Sequence, residues 1–211
     1  MSIIKFANGR CRELKQLREI LDYIRDPVKT RPELTTGFGV VDEQRPFEDM
    51  RDAKVWYQKM TGRQYVHFIL SLDRLQRITP DLAYKVGVEV GRHYAQRYQV
   101  LMTTHTNTKN LHCHYVVNAL DMNTGLKFSQ SSQDLALFKE FANSILRQFG
   151  CPVILTRKEV IQATERGECL APCGNSGNEF FEPRPDSRVG HEEAQMYYWA
   201  LERFNEDAGS I

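Results

Sequence analysis

The chain has 211 residues, 41% hydrophobic and 26% charged, which is ordinary globular usage and enough to bury a core without disulfide staples. That balance excludes a disordered, collagenous or coiled-coil chain, and no run approaches the roughly 18 apolar residues of a membrane span. The net charge of +1 conceals an asymmetry: residues 1–156 hold 22 Lys+Arg against 16 Asp+Glu, and residues 157–211 hold 6 against 11. A basic body with an acidic tail suggests a polyanion-binding domain over 1–156 and a separately tasked extension over 157–211. Met1 to Lys5 lacks an apolar secretory stretch, and the five cysteines are an odd, scattered set. Together these predict a reducing cytoplasm and no membrane insertion.

Leu14, Leu17, Leu21 and Ile24 recur at three- and four-residue steps, predicting a helix over 12–25 that stops at Asp26-Pro27. A connecting stretch with Pro32, Gly37, Gly39 and Pro46 follows, then a second helix over 48–61 ending before Gly62. Tyr65 to Leu72 alternates and is rich in aromatic and branched residues, so it reads as a strand. Thr79-Pro80 is a helix start, with Thr79 as N-cap, and that helix runs to about Arg97. Residues 98–104 and 111–120 make two further strands. Short strands are predicted around Lys127-Phe128 and over Cys151 to Leu155, flanking a helix over 132–149 closed by Gly150. Beyond Arg157 the pattern weakens, with a terminal helix predicted over 192–205. The order implies an α+β fold: a two-layer sandwich with an antiparallel-dominated sheet of about five strands.

The most informative segment is His105-Thr-Asn-Thr-Lys-Asn-Leu-His112-Cys-His114. Alternate strand residues share a face, so His112 and His114 project together with Cα atoms roughly 6.5–7 Å apart. His105 ends the preceding strand, and a tight six-residue hairpin returns its imidazole to the same place. Three neutral imidazoles with open positions suit a catalytic rather than a closed structural metal site. Such a site takes one divalent ion, magnesium or manganese first and zinc as the alternative, with room for a phosphate oxygen. Cys113 faces the other way and reads as packing. Cys169 and Cys173 lack a second matching pair, so they do not read as a zinc site.

This string resembles the metal motif of the HUH endonucleases, specifically the mobilisation-P-like relaxases of conjugative and mobilisable elements. His105, Asn110, His112 and His114 match that motif position for position, Val116-Val117-Asn118 continues it, and Asn107 stands where the family usually has aspartate. If that aspartate orients a ligand histidine, Asn107 can still accept a hydrogen bond but supplies no charge. Tyr23, Pro27, Lys29 and Thr30 resemble the family's first motif, whose tyrosine is the nucleophile. Tyr23 also lies about 120° from the centre of the apolar stripe of its helix, which sets it apart from the core positions. A free phenol has a pKa near 10, so the neighbouring Arg25 and Lys29 are candidates to stabilise a phenolate or hold a phosphate. Arg12 and Lys15 are further candidate phosphate contacts. The family often has histidine in the strand over 65–72, so His67 is a candidate contact to the tyrosine, the metal shell or DNA.

The resemblance covers residues 1–155 and implies a fold of the HUH, ferredoxin-like type. It further implies a bacterial, site- and strand-specific relaxase that nicks single-stranded DNA at an origin of transfer. Tyr23 would form a 5′-phosphotyrosine link and leave a free 3′-hydroxyl. The implied partners are accessory relaxosome proteins and a secretion coupling protein. Two alternatives stay open: a rolling-circle replication initiator using a downstream tyrosine, Tyr197 or Tyr198, and a non-catalytic DNA-binding descendant of the fold.

Overall fold

The computed structural model describes residues 1–7, 11–73, 78–108 and 110–155, together with Glu159, Gln162 and Arg166. The terminal helix expected over 192–205, Tyr197, Tyr198, Cys169 and Cys173 lie outside the described residues. In chain order the elements are β1 (Ile3–Phe6), α1 (Leu14–Ile24), β2 (Thr35–Phe38), α2 (Pro46–Trp56), β3 (Tyr65–Ser71), α3 (Pro80–Ala95), β4 (Tyr98–His105), β5 (His112–Asp121) and α4 (Ser132–Gln148). A single 3₁₀ turn over Pro32–Leu34 precedes β2. The strands form one sheet in the order β1-β3-β5-β4-β2, and every pairing is antiparallel.

Local chemistry sets the helix ends. The hydroxyl of Thr79 accepts the amide of Leu82 at 3.2 Å, and Pro80 occupies the first helical position of α3. Ser131 and Asp134 form a reciprocal capping box at the start of α4. Gly150 follows α4 with φ +66°, a left-handed position that glycine adopts at little cost.

The α+β class, the antiparallel sheet and the number of strands are as expected, and three of the five strands are those predicted. The helices, however, cover both faces of the sheet, so there are three layers where the sequence suggested two. On one face Phe68, Met102, Tyr115 and Val117 pack against Val86 and Val90 of α3 and Phe138 of α4. On the other, Leu101 and Val116 pack against Leu17, Leu21 and Ile24 of α1 and Phe47 and Met50 of α2. The reason is legible in β4 and β5, which are buried almost residue by residue and so need cover on both sides. The strands expected near Lys127 and over 151–155 reduce to isolated bridges, Leu120 to Lys127 and Ser2 to Ile154. Their places in the sheet go to the edge strands β1 and β2. These have four residues each, too few for a period-two pattern to stand out, and Gly37 interrupts the second. Among the described residues no helix is long and apolar enough to cross a membrane.

One buried charge is set into the second core. Lys54 of α2 is fully buried, and its ammonium donates to the Met50 carbonyl at 3.1 Å. Burial first, and then the charge of Lys127, bring its pKa down from 10.5 to about 7. The unfolded chain therefore holds a proton that the folded one gives up between those values, so stability rises with pH across that window. In urea unfolding, the native chain should gain roughly 2–3 kcal/mol of stability between pH 7 and about pH 9.5 from this group. Lys54→Met should lack that gain, and an equal gain in both proteins would contradict the assignment.

Candidate active site

The histidines are brought together by register. His105 lies directly opposite His112 across the β4–β5 pair, and His114 lies opposite Thr103, diagonal to His105. One ring nitrogen of each of the three sits within 4.8 Å of the others, and the ring centroids are 4.1–5.2 Å apart. His105 and His114 are buried, and His112 is half-buried at the rim.

Each ring is held by its other nitrogen. Nε2 of His105 is 2.9 Å from the carbonyl of Ile24, one of the last carbonyls of α1, which has no partner within its own helix. Nδ1 of His112 is 2.9 Å from the carbonyl of Asn110, with the Thr108 hydroxyl at 3.4 Å. Nδ1 of His114 is 3.0 Å from Nε2 of His67, which reaches it diagonally from β3. A carbonyl only accepts, so the bonded nitrogens of His105 and His112 carry the proton and donate. With Nδ1 of His114 protonated, as in His112, His67 is the acceptor there. The remaining nitrogens, Nδ1 of His105 and Nε2 of His114, are buried with no hydrogen-bond partner.

Two orphaned acceptors in one pocket, beside the free nitrogen of His112, fit a divalent cation. The donor set is imidazole, with each ligand oriented by a partner on its far side. Electrostatics agree. Burial holds the pKa of His105 and of His67 down to about 4, and holds His114 well below the usual imidazole range. These rings are therefore neutral near pH 7, with lone pairs available to a metal.

Tyr23 stands over this cluster from the last turn of α1. Its ring centroid is 5.8 Å from that of His105 and 5.8 Å from that of His114, both edge-on. It is half-buried and leans on the α1/α2 core, which places it at the margin of the apolar stripe. The Lys29 ammonium lies 3.5 Å from the Tyr23 ring centroid, over its face. The Asp26–Thr30 turn that carries Lys29 is tied to the end of β4. The Thr106 amide donates to the Lys29 carbonyl at 2.8 Å, and the buried Thr30 hydroxyl donates to the Thr104 carbonyl at 2.7 Å.

The structure thus brings together Tyr23, Lys29, His67, His105, Asn110, His112 and His114. Other predicted site residues stand elsewhere. Arg25 turns its guanidinium to the carbonyls of Glu43 and Gln44 and to Asp22. Asn107 is exposed in the hairpin turn. Asn118 is buried four residues beyond His114, roughly 13 Å along β5, where its amide donates to Met50 and Gln99. Lys15 is exposed and pairs with Glu19, and Arg12 is exposed at the start of α1. Cys113 packs on the opposite face, as expected, against Ala83 and Thr104. The Ile24 carbonyl that orients His105 left no trace in residue types, because a main-chain acceptor has no side-chain signature.

Residues 23–151 match the family of relaxases described as MobA/VirD2-like, nuclease domain. The chain belongs to that relaxase family. Two relatives named protein rlx from Staphylococcus aureus are similar to it. One is 28% identical over 103 residues, covering 49% of this chain and 32% of the relative. The other is 25% identical over 132 residues, covering 63% and 33%. The matched part therefore spans about a third of the length of these relatives. A solved structure concerned with the molecular basis of vancomycin resistance transfer in Staphylococcus aureus aligns over 74% of both chains, at 12% identity and a TM-score of 0.39.

For this relaxase domain the histidine cluster makes a direct prediction, read by calorimetry with Mn²⁺. His114→Ala should abolish measurable binding. His67→Ala should weaken it by roughly 10- to 100-fold, because it frees the ring that His67 orients. His67→Gln should recover part of the loss, since its side-chain carbonyl can accept the same proton. Unchanged affinity in His67→Ala would leave His67 as a packing residue only.

Proposed function

We propose that this chain is the nuclease domain, over residues 1–156, of a DNA relaxase that nicks and rejoins one strand at an origin of transfer. The observation that carries the reading is Tyr23 set edge-on over His105 and His114 with Lys29 on its ring. A nucleophile, a cation and a metal-competent triad meet in one place. His105, His112 and His114 would hold one divalent ion, magnesium or manganese first, which would polarise the scissile phosphate and neutralise charge that develops on it.

The residues of the chain supply the rest. The Tyr23 oxygen attacks phosphorus in line, its proton passing to solvent. The bond from phosphorus to the 3′-oxygen breaks, and that oxygen takes up a proton. The products are a 5′-phosphotyrosine link and a free 3′-hydroxyl, which reseals the strand by the reverse reaction. Lys29 lowers the cost of the phenolate from its position over the ring, where its side chain is only 12% exposed and its ammonium also pairs with Asp26 at 3.8 Å, which offsets part of its charge. His67 keeps His114 in the metal-binding tautomer. The accessory relaxosome proteins, the secretion coupling protein and the bacterial cytoplasm belong to the same reading, because the resemblance behind it is to relaxases of conjugative and mobilisable elements.

The test uses labelled single strands from the DNA flanking the protein's own gene, incubated with the chain and Mg²⁺ or Mn²⁺. A denaturation-resistant protein–DNA adduct is expected with the native chain and none with Tyr23→Phe. Lys29→Met should slow adduct formation by about 100-fold. An adduct that survives Tyr23→Phe would move the nucleophile elsewhere and favour a replication initiator. DNA binding without any adduct would favour a non-catalytic descendant.

A further inference from the structure

At the far end of α1 from Tyr23, a second surface has the chemistry of a nucleic-acid contact. Trp56 closes α2 and is 82% exposed, an unusual place for the largest apolar residue. Beyond it the chain is basic: residues 57–72 contain Lys59 and Arg63 and no aspartate or glutamate, while Asp52, one turn back on α2, is paired with Arg51 at 2.7 Å. Arg12, at the start of α1, adds a further cation.

These segments are joined into one piece. The Gln64 amide donates to the Cys11 carbonyl at 2.6 Å, and its side chain reaches the carbonyls of Met60 and Gly62 at 2.8 and 3.0 Å and that of Arg12 at 3.4 Å. The Lys127 ammonium donates to the carbonyls of Lys59 and Arg63 at 2.7 and 3.0 Å, clipping the turn after α2. Tyr57, the next residue after Trp56, donates its hydroxyl to the Met122 carbonyl at 2.5 Å. Trp56, Lys59 and Arg63 are therefore displayed from a backbone pinned at several points, although the turn itself is exposed.

Several cations on the helices are already paired, whereas, among the described residues, Lys85 of α3 and Lys139 and Arg147 of α4 are exposed without an ion pair. Lys15, Arg18, Arg51 and Arg92 each pair with a carboxylate. Among the described residues Arg12, Lys59 and Arg63 form no such ion pair and stay exposed. Uncompensated cations beside an exposed indole match what a flexible polyanion with flat bases needs: charge for the phosphates and an aromatic face for a base.

We infer that this surface is a second docking site for single-stranded nucleic acid, with one base stacked on Trp56 and the flanking phosphates held by Arg12, Lys59 and Arg63. Arg12 lies roughly 17 Å from Tyr23 by the rise of α1, so a few nucleotides of extended strand would bridge the two sites. The inference rests on the nuclease reading in that the bound strand is the one cut at Tyr23. Such a contact would hold the cleaved strand away from the reacting phosphate, so that nicking does not release it.

The test is a fluorescence titration of the full chain carrying Trp199→Phe, which leaves Trp56 as the sole indole, with oligothymidylate followed in parallel by anisotropy. Quenching of Trp56 that tracks binding is expected. Trp56→Ala should weaken binding by roughly 5- to 30-fold. Lys59→Gln with Arg63→Gln should lower the slope of log affinity against log salt by about 1.4. Binding and Tyr23-dependent adduct formation with no quenching, and no loss in Trp56→Ala, would overturn this inference and leave the nuclease reading standing. Absence of any binding would overturn both. Quenching that depends on protein concentration without DNA would instead assign the face to a second copy of the chain.

Discussion

The pairing of β4 with β5 is the constraint on which the site depends. Strand side chains alternate with period two, so a slip of one residue would carry His112 and His114 into the α3/α4 core and expose Cys113 and Tyr115 to α1. What forbids the slip is on the other face. Tyr115 is fully buried, stacks on Phe68 with centroids 4.2 Å apart, and donates its hydroxyl to the Gly87 carbonyl at 2.9 Å. Cys113 sits so close to α3 that a Cβ on Gly87 would approach its sulfur to 2.7 Å. The structural face of β5 thus locks the register that the candidate functional face uses. A substitution at Gly87, on the far side of the sheet, would act on the histidines through that register.

The same burial sets the charge state of the site. Rings in solvent would be partly protonated near neutral pH, whereas burial keeps His67 and His105 neutral down to about pH 4. The cost is visible in the unpartnered nitrogens of His105 and His114, each about 1–3 kcal/mol of unmet desolvation without a ligand. A fold that carries such groups next to one another, while satisfying the opposite nitrogen of each ring, has traded stability for a ready coordination site.

Much of this was legible in the residue pattern, for identifiable reasons. The long helices announced themselves through spacing and end signals, as at Thr79-Pro80 and Gly150. The strands β3, β4 and β5 did so through branched and aromatic runs. His105, His112 and His114 could be brought together from the period of a strand and the length of a hairpin alone. What escaped were features without a periodic signature. The edge strands Ile3–Phe6 and Thr35–Phe38 are too short. The second helical layer depends on which way α1 and α2 fold back, a tertiary choice. The turn of Arg25 toward the carbonyls of Glu43 and Gln44 depends on where the loop after β2 comes to rest. Asn107 stands at the aspartate position of the family motif, yet the orienting bonds come from Ile24, Asn110 and His67.

The break after Ile24 shows how local chemistry and site chemistry meet. In a continuous helix residue 29 would lie about 120° around the axis from residue 23 and about 9 Å further along, out of reach of the tyrosine ring. Pro27 cannot continue the helix, and the amides of Lys29 and Thr30 bond back to the Asp26 carbonyl at 2.8 and 3.1 Å, so the chain reverses. That reversal lays the Lys29 ammonium over Tyr23 and frees the Ile24 carbonyl, which accepts from His105. Thr30 then anchors the turn to β4. One helix stop therefore does three things: it presents the phenol, places a cation on it, and orients the histidine beneath it. A helix extended by one more turn would forfeit all three while keeping every residue type intact.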